Sequence, residues 1–382
     1  MSQSARSRRS VLQTGLRVVA GAGFLGLPDF VVNAQTSGRI LVGVYLHGGN
    51  DGNNLVVPVD QYATYAGGRG ALAIPAANLL RATGDGTSTI GFHPAMPQMR
   101  ELFDSEALAV AANIGSETPV PTHSDNPDFA YFAPGYITSR WAASVAGATS
   151  LHPNGSVVTG FAGLPADHAR GGASGLTMTG RGAAAVASQL ADAAENVKSR
   201  FATPFPASSL GTELLQVARM IRGGSVSGVG FPHFFAVHSG YDTHSDQVNR
   251  QQALLADLSA SIYAFHAAMV EMGVSRQVTL YTDSDFGRTL APNAEGGTEH
   301  GWGNHQMIVG GAVMGGRVFG SFPDLALGSA SDAGRTGVWK PAYSKEQYRA
   351  TLAAWAGASQ SQLMRFAPGS GGFAGPGLEF LS

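Results

Sequence analysis

Cysteine is absent from this sequence, and charged residues are scarce. With no cysteine among the 382 residues, disulfide bonds, thiolate nucleophiles and cysteine-ligated zinc are all excluded. Charged residues make up 13% of the chain and the formal net charge is -2, so the charge balance predicts neither nucleic acid nor an anionic membrane surface as a partner. The 11 histidines and 26 acidic residues leave open metal sites built from nitrogen and oxygen ligands.

The N-terminal region lacks an apolar run long enough to span a membrane, and we predict no stable membrane insertion. The apolar stretch at 18–27 is too short and too rich in glycine for a span. A twin-arginine motif precedes it at 7–13, and the small residues at 32–34 are typical of a cleavage site. We therefore expect residues 1–34 to be a signal peptide read by the twin-arginine translocation machinery, which predicts a periplasmic or secreted protein. An uncleaved anchor or a chance pair of arginines is the alternative.

Apolar runs with strand character alternate with segments of helical spacing along the rest of the chain. The predicted strands are 40–47, 108–114, 231–237, 277–282 and 306–313, and the predicted helices are 94–103, 183–200, 210–222 and 254–272. This alternation favours an α/β fold with a mostly parallel sheet flanked by helices. We predict a single domain over 35–382, in which the Gly/Ala/Ser-rich span 142–230 is an inserted or peripheral subregion and 62–80 is a surface segment.

Asp51 follows the first predicted strand, in the turn Gly-Gly-Asn-Asp-Gly at 48–52. Ligands of open α/β sheets collect at the carboxyl ends of strands, so a carboxylate placed there is expected to face a site. The glycines allow a sharp turn and the close approach of a ligand. The alternative is that Asp51 is a solvated turn residue that caps the following segment.

Acidic residues and histidines follow two later strands in the same way. Asp242 and His244 come after the third predicted strand, Asp285 comes after the fourth, and His300 follows shortly afterwards. Carboxylate oxygens and imidazole nitrogens are typical ligands of a divalent metal, so we predict a polar site where these loops meet. Each group also has a structural alternative. Asp242 and His244 could form a turn before a helix N-cap at Ser245 or Asp246, and Asp285 could pair with Arg288. His300 and His305 could be loop histidines beside Trp302.

Four motifs of the chain resemble those of a known family. They are Gly-Gly-Asn-Asp-Gly at 48–52, Asp-Thr-His at 242–244, Ser-Asp-Phe-Gly-Arg-Thr at 284–289 and Glu-His-Gly-Trp-Gly at 299–303. They resemble the domain-of-unknown-function 1501 family, which is grouped with the alkaline phosphatase/sulfatase-like superfamily, over residues 38 to about 323. The resemblance implies an α/β/α sandwich with one or two divalent ions (zinc, manganese, magnesium or calcium) at the carboxyl edge of the sheet. It also implies hydrolysis or transfer at phosphate or sulfate esters, carried by a small molecule or a polymer.

Carried over by motif position, the resemblance implies a set of metal ligands. Asp51 would be the ligand after the first strand, Asp242 and His244 a second pair, Asp285 the carboxylate of the Ser-Asp motif, and His300 the late histidine.

Two departures from the superfamily pattern put a complete two-metal site in doubt. Phe286 stands where the superfamily motif has the histidine of the second metal. Only one residue separates Asp242 from His244, whereas superfamily members usually have three residues between the aspartate and the histidine of this pair. Asp246, four residues after Asp242, could take the place of the second ligand if this segment is helical. The departures favour a single ion or a degenerate site.

The nucleophile is expected in the loop after the second strand, at a helix N-terminus whose backbone N–H groups could stabilise an oxyanion. By motif position Thr122 matches the nucleophilic residue, and Ser124 is the neighbouring candidate. His123 is predicted to be a ligand or a donor to the transition state, and Arg288 a clamp for substrate anions. The alternative is that Thr122 or Ser124 only caps the segment 127–132.

Two functions follow from these features. The first is an exported metal-dependent hydrolase or transferase that acts on phosphate or sulfate esters. The second is a non-catalytic periplasmic binding or assembly protein on a degenerate scaffold of the same kind. The ligand-type residues at 51, 242, 285 and 300 favour the first function, and Phe286 favours the second.

Overall fold

The computed structural model describes residues 38–84, 88–123, 176–179, 201–222, 233–357 and 378–382. The expected signal peptide, Ser124 and the helix predicted at 183–200 lie outside these residues. The strands are β1 (Ile40–His47), β2 (Val56–Pro58), β3 (Leu80–Gly84), β4 (Ser88–Phe92), β5 (Leu108–Gly115), β6 (Leu176–Thr179), β7 (His233–Ser239), β8 (Val278–Ser284), β9 (Asn304–Gly310), β10 (Arg317–Gly320) and β11 (Tyr343–Ser344). The helices are α1 (Gly52–Leu55), α2 (Tyr62–Arg69), α3 (Pro97–Asp104), α4 (Ser209–Arg222), α5 (Gln247–Glu271) and α6 (Lys345–Trp355).

The strands of the central sheet follow the order β10-β5-β9-β8-β1-β7-β6, and β11 also pairs with β5. β1 lies between β7 and β8 and runs parallel to both. β10 and β11 are parallel to β5, whereas β6 is antiparallel to β7 and β9 is antiparallel to both of its neighbours. The sheet is therefore mixed and mostly parallel, which confirms the predicted α/β fold class.

Helices flank the sheet on both sides because β1 is apolar on both of its faces. Alternate residues of this strand enter two separate hydrophobic clusters. Val42 and Val44 belong to a cluster with residues of α3, α4 and α5, while Leu41 and Tyr45 belong to a cluster with residues of α6. Burial on both faces is typical of a central strand in a parallel sheet.

Two described elements, β6 and α4, fall within the Gly/Ala/Ser-rich span 142–230. Leu210, Leu214 and Val217 of α4 are fully buried and share a hydrophobic cluster with Val42 of β1. The described part of this span therefore contributes both an edge strand of the central sheet and a helix of the main core.

α5 is 25 residues long and begins several residues before its predicted start. Leu258, Ile262 and Phe265 of this helix recur at helical spacing and are buried in the core. The first turns carry the buried side chains of Gln247 and Gln251, whose polarity interrupts the apolar period by which helices are recognised. By length and hydropathy α5 is the one described helix that could cross a membrane, and half of its most apolar window is buried inside the fold.

The prediction of a surface segment at 62–80 is wrong at its N-terminal end. Residues Tyr62–Arg69 form α2, and the side chains of Tyr65 and Arg69 are fully buried. A Cβ at Gly68 would come within 2.7 Å of the Leu290 side chain, so this glycine allows close packing of the helix. The glycine that indicated a surface segment therefore marks a buried contact.

Candidate metal site

Three loops meet at the carboxyl edge of the central sheet. The parallel neighbours β1, β7 and β8 end at His47, Ser239 and Ser284, in register to within one residue. The residues that follow each strand therefore emerge on the same edge. Gly48 has a positive φ of 115°, and a Cβ at this position would lie 2.4 Å from the backbone nitrogen of Asp242. Glycine thus allows the loops after β1 and β7 to lie in direct contact.

Two histidines and one aspartate from separate segments converge at this edge. One ligand atom from each of His123, Asp242 and His300 lies within 4.8 Å of the other two. The Nε2 atoms of His123 and His300 are each 3.4 Å from Oδ1 of Asp242. Two ligands that share an ion at bonds of about 2 Å are roughly 3.3 Å apart in tetrahedral geometry, so this group could hold a metal ion.

His244 adds a third imidazole beside this group. Its Nε2 lies 3.0 Å from Oδ1 of Asp242 and 3.0 Å from Nε2 of His300. His244 therefore lies beside the group of His123, Asp242 and His300, and its predicted role as a metal ligand stays a prediction. Imidazole ligands suit zinc and other transition metals, whereas magnesium and calcium prefer oxygen ligands.

The second ring nitrogen of each histidine contacts an oxygen atom of the protein. Nδ1 of His123 lies 2.5 Å from Oδ2 of Asp285, Nδ1 of His244 lies 3.0 Å from Oε2 of Glu299, and Nδ1 of His300 lies 2.9 Å from the carbonyl oxygen of Pro121. An oxygen acceptor favours the tautomer that carries its proton on Nδ1, which leaves the Nε2 lone pair for a metal. These outer contacts are typical of histidines that bind metal ions.

Two carboxylates change the titration of His123. Burial by itself would lower its pKa, but hydrogen bonds to Asp242 and Asp285 outweigh burial and raise the pKa of His123 to about 9. For Asp242, burial would raise the pKa, but hydrogen bonds from His123, His300 and Arg288 hold it well below its usual range. Asp242 is therefore ionised at neutral pH, and a cation that binds here must replace a proton on His123.

Asp285 contacts this centre through His123. Its carboxylate is buried, and Oδ2 accepts hydrogen bonds from the His123 imidazole at 2.5 Å and from the backbone N–H of Gly48 at 3.1 Å. In this position the carboxylate orients an imidazole. The predicted role of Asp285 as a direct metal ligand stays a prediction.

Asp51, the ligand expected after the first strand, lies in a different network. One oxygen of its buried carboxylate forms an ion pair with Arg69 and accepts a hydrogen bond from the Gln247 amide at 2.5 Å. The other oxygen accepts from the backbone and side chain of Asn53 and thereby caps α1. Gln247 also accepts from the Thr298 hydroxyl, so Asp51 supports the loop of the late histidine indirectly. A role of Asp51 as a metal ligand stays a prediction.

Arg288, predicted to be a clamp for substrate anions, has a fully buried side chain. One guanidinium nitrogen forms an ion pair with Asp242. The guanidinium also donates to backbone carbonyl oxygens of four residues, Gly48, Gly49, Tyr241 and Thr298. These contacts tie the site loops together and fix the position of Asp242, while a contact of Arg288 with a substrate stays a prediction.

Phe286 forms an apolar side of the site. Its ring centroid lies 4.5 Å from that of His300 and 4.9 Å from that of His123, and the side chain is buried. An apolar ring at this position supplies no ligand for a second ion. It also lowers the local polarity beside the two imidazoles, which strengthens the electrostatic interactions of the site.

The predicted nucleophiles lie at the end of a described segment. Thr122 is exposed and directly precedes His123, whereas Ser124 lies outside the described residues. Asp246, the residue that was to restore the superfamily spacing, precedes α5 and accepts a hydrogen bond from the Asn249 amide at 2.7 Å.

Two residues near the site were missed by sequence reasoning. Glu299 contacts His244, and the His47 ring stacks against that of His123 with a centroid distance of 6.4 Å. Burial lowers the pKa of His47. His47 directly precedes the glycine turn at 48–52, and Glu299 is the first residue of the Glu-His-Gly-Trp-Gly motif at 299–303. Their position in or beside these motifs was the sequence signal by which His47 and Glu299 could have been found.

The fold and the cluster define the chain as an α/β protein with a His/Asp group that could hold a metal ion at the carboxyl edge of its sheet. The sequence pattern of a family described as "Protein of unknown function (DUF1501)" matches residues 167–335. This match includes Asp242, His244 and His300, while His123 precedes it. A search of the curated proteins found no match to this chain.

Proposed function

We propose that this protein is an exported hydrolase or transferase that depends on one divalent metal ion and acts on phosphate or sulfate esters. The observation that carries the proposal is the convergence of three imidazole Nε2 atoms on the Asp242 carboxylate. Each of these imidazoles has its other nitrogen held by an oxygen of the protein. This arrangement fits an ion that takes nitrogen and oxygen ligands, and zinc or manganese fits better than magnesium or calcium.

The chain's own residues would divide the work in this reaction. His123, Asp242, His244 and His300 would hold the ion, which when bound supplies Lewis acidity toward an ester oxygen and lowers the pKa of a bound water. Arg288 keeps Asp242 in place, and the residues at the second ring nitrogens keep the imidazoles oriented. Phe286 excludes water from one side. Thr122, exposed beside His123, is the candidate nucleophile for a transfer through a covalent intermediate.

The ester class and the location come from the resemblance and the N-terminal motif. The alkaline phosphatase/sulfatase-like superfamily acts on phosphate or sulfate esters, and the match at 167–335 supports the family resemblance over that part of the chain. The twin-arginine motif supports export to the periplasm or beyond, where the substrate would be a small molecule or a polymer-borne ester.

A second function is a non-catalytic binding or assembly protein that keeps the same scaffold. Phe286 and the buried Arg288 favour it, because one supplies no second-metal ligand and the other donates its hydrogen bonds to the protein. In that case the ion would stabilise the loops after β1 and β7 without acting on a substrate.

Metal analysis combined with ester hydrolysis tests the proposal. Protein purified from the periplasm should contain about one zinc or manganese ion per chain, and His300→Ala should lose both the ion and the turnover of a panel of phosphate and sulfate esters. Thr122→Ala should keep the ion and the melting temperature but lose turnover if Thr122 is the nucleophile. His266→Gln on α5 provides a matched control that should retain both properties.

The possible outcomes separate the two functions. Equal turnover in wild type, His300→Ala and Thr122→Ala would show that the activity comes from a contaminant. A bound ion without turnover in any variant would favour the binding protein. Absence of a bound ion, and of any ion that binds to the purified protein, would refute the metal site.

A further inference from the structure

A buried glutamine, the first residue of α5, contacts three of the loops around the candidate metal site. The Gln247 side chain is fully buried. Its amide oxygen accepts hydrogen bonds from the hydroxyls of Thr243 at 3.1 Å and Thr298 at 2.5 Å, and its amide nitrogen donates to the Asp51 carboxylate at 2.5 Å. Two lone pairs on the oxygen and the N–H groups of the same amide are enough for all three bonds. One side chain therefore connects the loops after β1 and β7 with the loop before β9.

The two threonines adjoin members of the His/Asp group. Thr243 stands between Asp242 and His244, and Thr298 precedes His300 by two residues. The backbone N–H of Thr298 donates to the carbonyl oxygen of Thr243 at 3.2 Å, so the two loops are also in direct contact. Both threonine side chains are buried, and their hydroxyls meet at the Gln247 amide. The contacts of this amide therefore lie directly behind the residues that face the candidate metal site.

Asp51 sets the orientation of the Gln247 amide. Its carboxylate oxygen is itself held by the ion pair with the fully buried Arg69. Because a carboxylate accepts hydrogen bonds, it faces the amide nitrogen, which turns the amide oxygen toward the two threonine hydroxyls. Asp51 is thus connected to the metal group through hydrogen bonds, without a ligand bond of its own.

We propose that Gln247 is a positioning residue of the metal site, an inference that rests on the proposed function. By binding both threonine hydroxyls, it holds the loop of Asp242 and the loop of His300 at the spacing that one ion requires. Nε2 of His300 lies 3.4 Å from Oδ1 of Asp242, close to the roughly 3.3 Å between two ligands of a tetrahedral ion. Such a site needs its ligands held to within about 0.5 Å, so a small shift between the two loops would weaken binding of the ion.

The chain offers a matched control one helical turn later. Gln251 is also buried on α5, and its amide donates to the backbone carbonyl oxygen of Asp51 at 2.9 Å. Among the described contacts neither threonine hydroxyl is bonded to Gln251. Gln247→Met and Gln251→Met each replace a buried amide by an apolar side chain of similar length, so both should lower the melting temperature. The two variants differ in whether the site loops lose a partner.

A competition titration with a zinc indicator tests the proposal. Gln247→Met should weaken zinc binding by about tenfold, at the lower end of the range for residues that orient metal ligands. The loss is limited because Arg288 also donates to the carbonyl oxygen of Thr298 and still holds this loop. Gln251→Met should keep the zinc affinity of wild type.

Thr298→Val separates one hydrogen bond from the rest of the glutamine side chain. The change removes the hydroxyl with little change in shape. It should weaken zinc binding by less than Gln247→Met, because Thr243 remains bonded to the amide. In the Gln247→Met background it should cause no further loss, because the partner of the hydroxyl is already gone. If Gln247→Met fails to fold, Thr243→Val and Thr298→Val take its place, and each should weaken zinc binding.

NMR of the metal-free protein gives a spectroscopic readout that needs no ion. The Thr298 backbone N–H bonds to Thr243, so the rate at which its hydrogen exchanges with solvent reports on the contact between the two loops. When the variants are compared at equal global stability, this hydrogen should exchange faster in Gln247→Met than in Gln251→Met. The ring-nitrogen chemical shifts of His300 should likewise move in Gln247→Met and stay unchanged in Gln251→Met.

Several results would overturn the proposal. They are an unchanged zinc affinity in Gln247→Met, an equal loss in the two glutamine variants, and additive losses from Gln247→Met and Thr298→Val. If wild type binds no zinc, the proposed function fails, and the measurements on the metal-free protein decide the role of Gln247 by themselves. Faster exchange at Thr298 in Gln247→Met than in Gln251→Met would then support its role in holding the loops, and equal exchange in the two variants would refute it.

Discussion

Asp51 and Asp242 both follow strands of the central sheet at the same edge, but their carboxylates have different environments. Asp51 is buried and is bonded to Arg69, Gln247 and Asn53. Asp242 is 46% exposed, and its Oδ1 contacts the imidazole nitrogens of three histidines and the guanidinium of Arg288. The first carboxylate is thus enclosed by the protein, while the second is accessible to an ion.

The difference shows that a strand end determines where a side chain lies but not what it does. Both residues were predicted as ligands from the same reasoning, that functional groups collect at the carboxyl edge. Arg69 and Gln247 come from α2 and α5, and they determine that Asp51 is paired internally. Asp242 is paired with Arg288, but its other neighbours are histidines, and a metal ion is a suitable partner for this group.

The largest effect is expected from Asp51→Asn. The change removes the charge that pairs with the fully buried Arg69, and breaking a buried ion pair typically costs about 3–5 kcal/mol of unfolding free energy. Denaturant unfolding measures this loss. Asp60→Asn, at an exposed position nearby, is the control and should change stability by less than about 0.5 kcal/mol. Normal stability together with loss of the metal would instead identify Asp51 as a ligand.

Asp242→Asn should act mainly on metal binding. The amide removes the only anionic member of the group formed with His123 and His300, so zinc affinity should fall by more than about 100-fold, beyond the usual effect of losing an outer contact. Stability should change less than in Asp51→Asn, because Asp242 is partly exposed. A competition titration with a zinc indicator measures the affinity, and Asp246→Asn in the same loop is the control. Unchanged affinity in Asp242→Asn would contradict the proposed site.

The fold class could be predicted from sequence because apolar runs define the central strands. β1 is an almost continuous run of buried apolar residues, and Leu258, Ile262 and Phe265 of α5 recur at helical spacing. The buried polar network could not be predicted in this way. Gln247, Gln251 and Arg69 carry side chains that normally indicate a surface, and they are buried only because partners from distant segments satisfy them.

The candidate site could be predicted in part. The motifs located Asp242, His244 and His300, and His123 was a candidate ligand before its contacts were known. The motifs did not reveal which carboxylates bind and which orient, because that depends on distances between loops that are far apart in sequence. Glu299 shows the difficulty, since its role as a partner of an imidazole is apparent only from their 3.0 Å contact.

The zinc affinity should also depend on pH through His123, which belongs to the metal group, whereas Asp51 lies in a different network. In the metal-free protein His123 keeps a proton up to a pKa of about 9, and an ion must displace that proton. Zinc affinity should therefore rise by about tenfold per pH unit between about pH 6 and 8 and level off above the pKa of His123. Protonation of His123 contributes to the stability of the fold with the opposite trend. Because the pKa of His123 is raised in the folded protein, this contribution is fully present below about pH 6.5 and is lost as the pH rises through about 9. Proton release on zinc binding, measured by calorimetry in two buffers, checks the first trend, and zero release at pH 7 would contradict it.

The smallest effects are expected at the carboxylates that contact the second ring nitrogens, and these two differ from each other. Asp285→Asn removes a buried anion that holds His123, so zinc affinity should fall by about 10–100-fold. Glu299→Gln removes a carboxylate that is 58% exposed, and because water screens its interaction with His244, the loss should be only a few-fold. Substituting cobalt for zinc gives a second measurement, since the ligand-field spectrum of cobalt reports the number of ligands. Both variants should keep the wild-type spectrum once saturated with cobalt, because neither residue is assigned as a ligand. A changed spectrum in Asp285→Asn would show that this carboxylate binds the ion directly, as its motif position implied, and would move Asp285 from an orienting role to the ligand set.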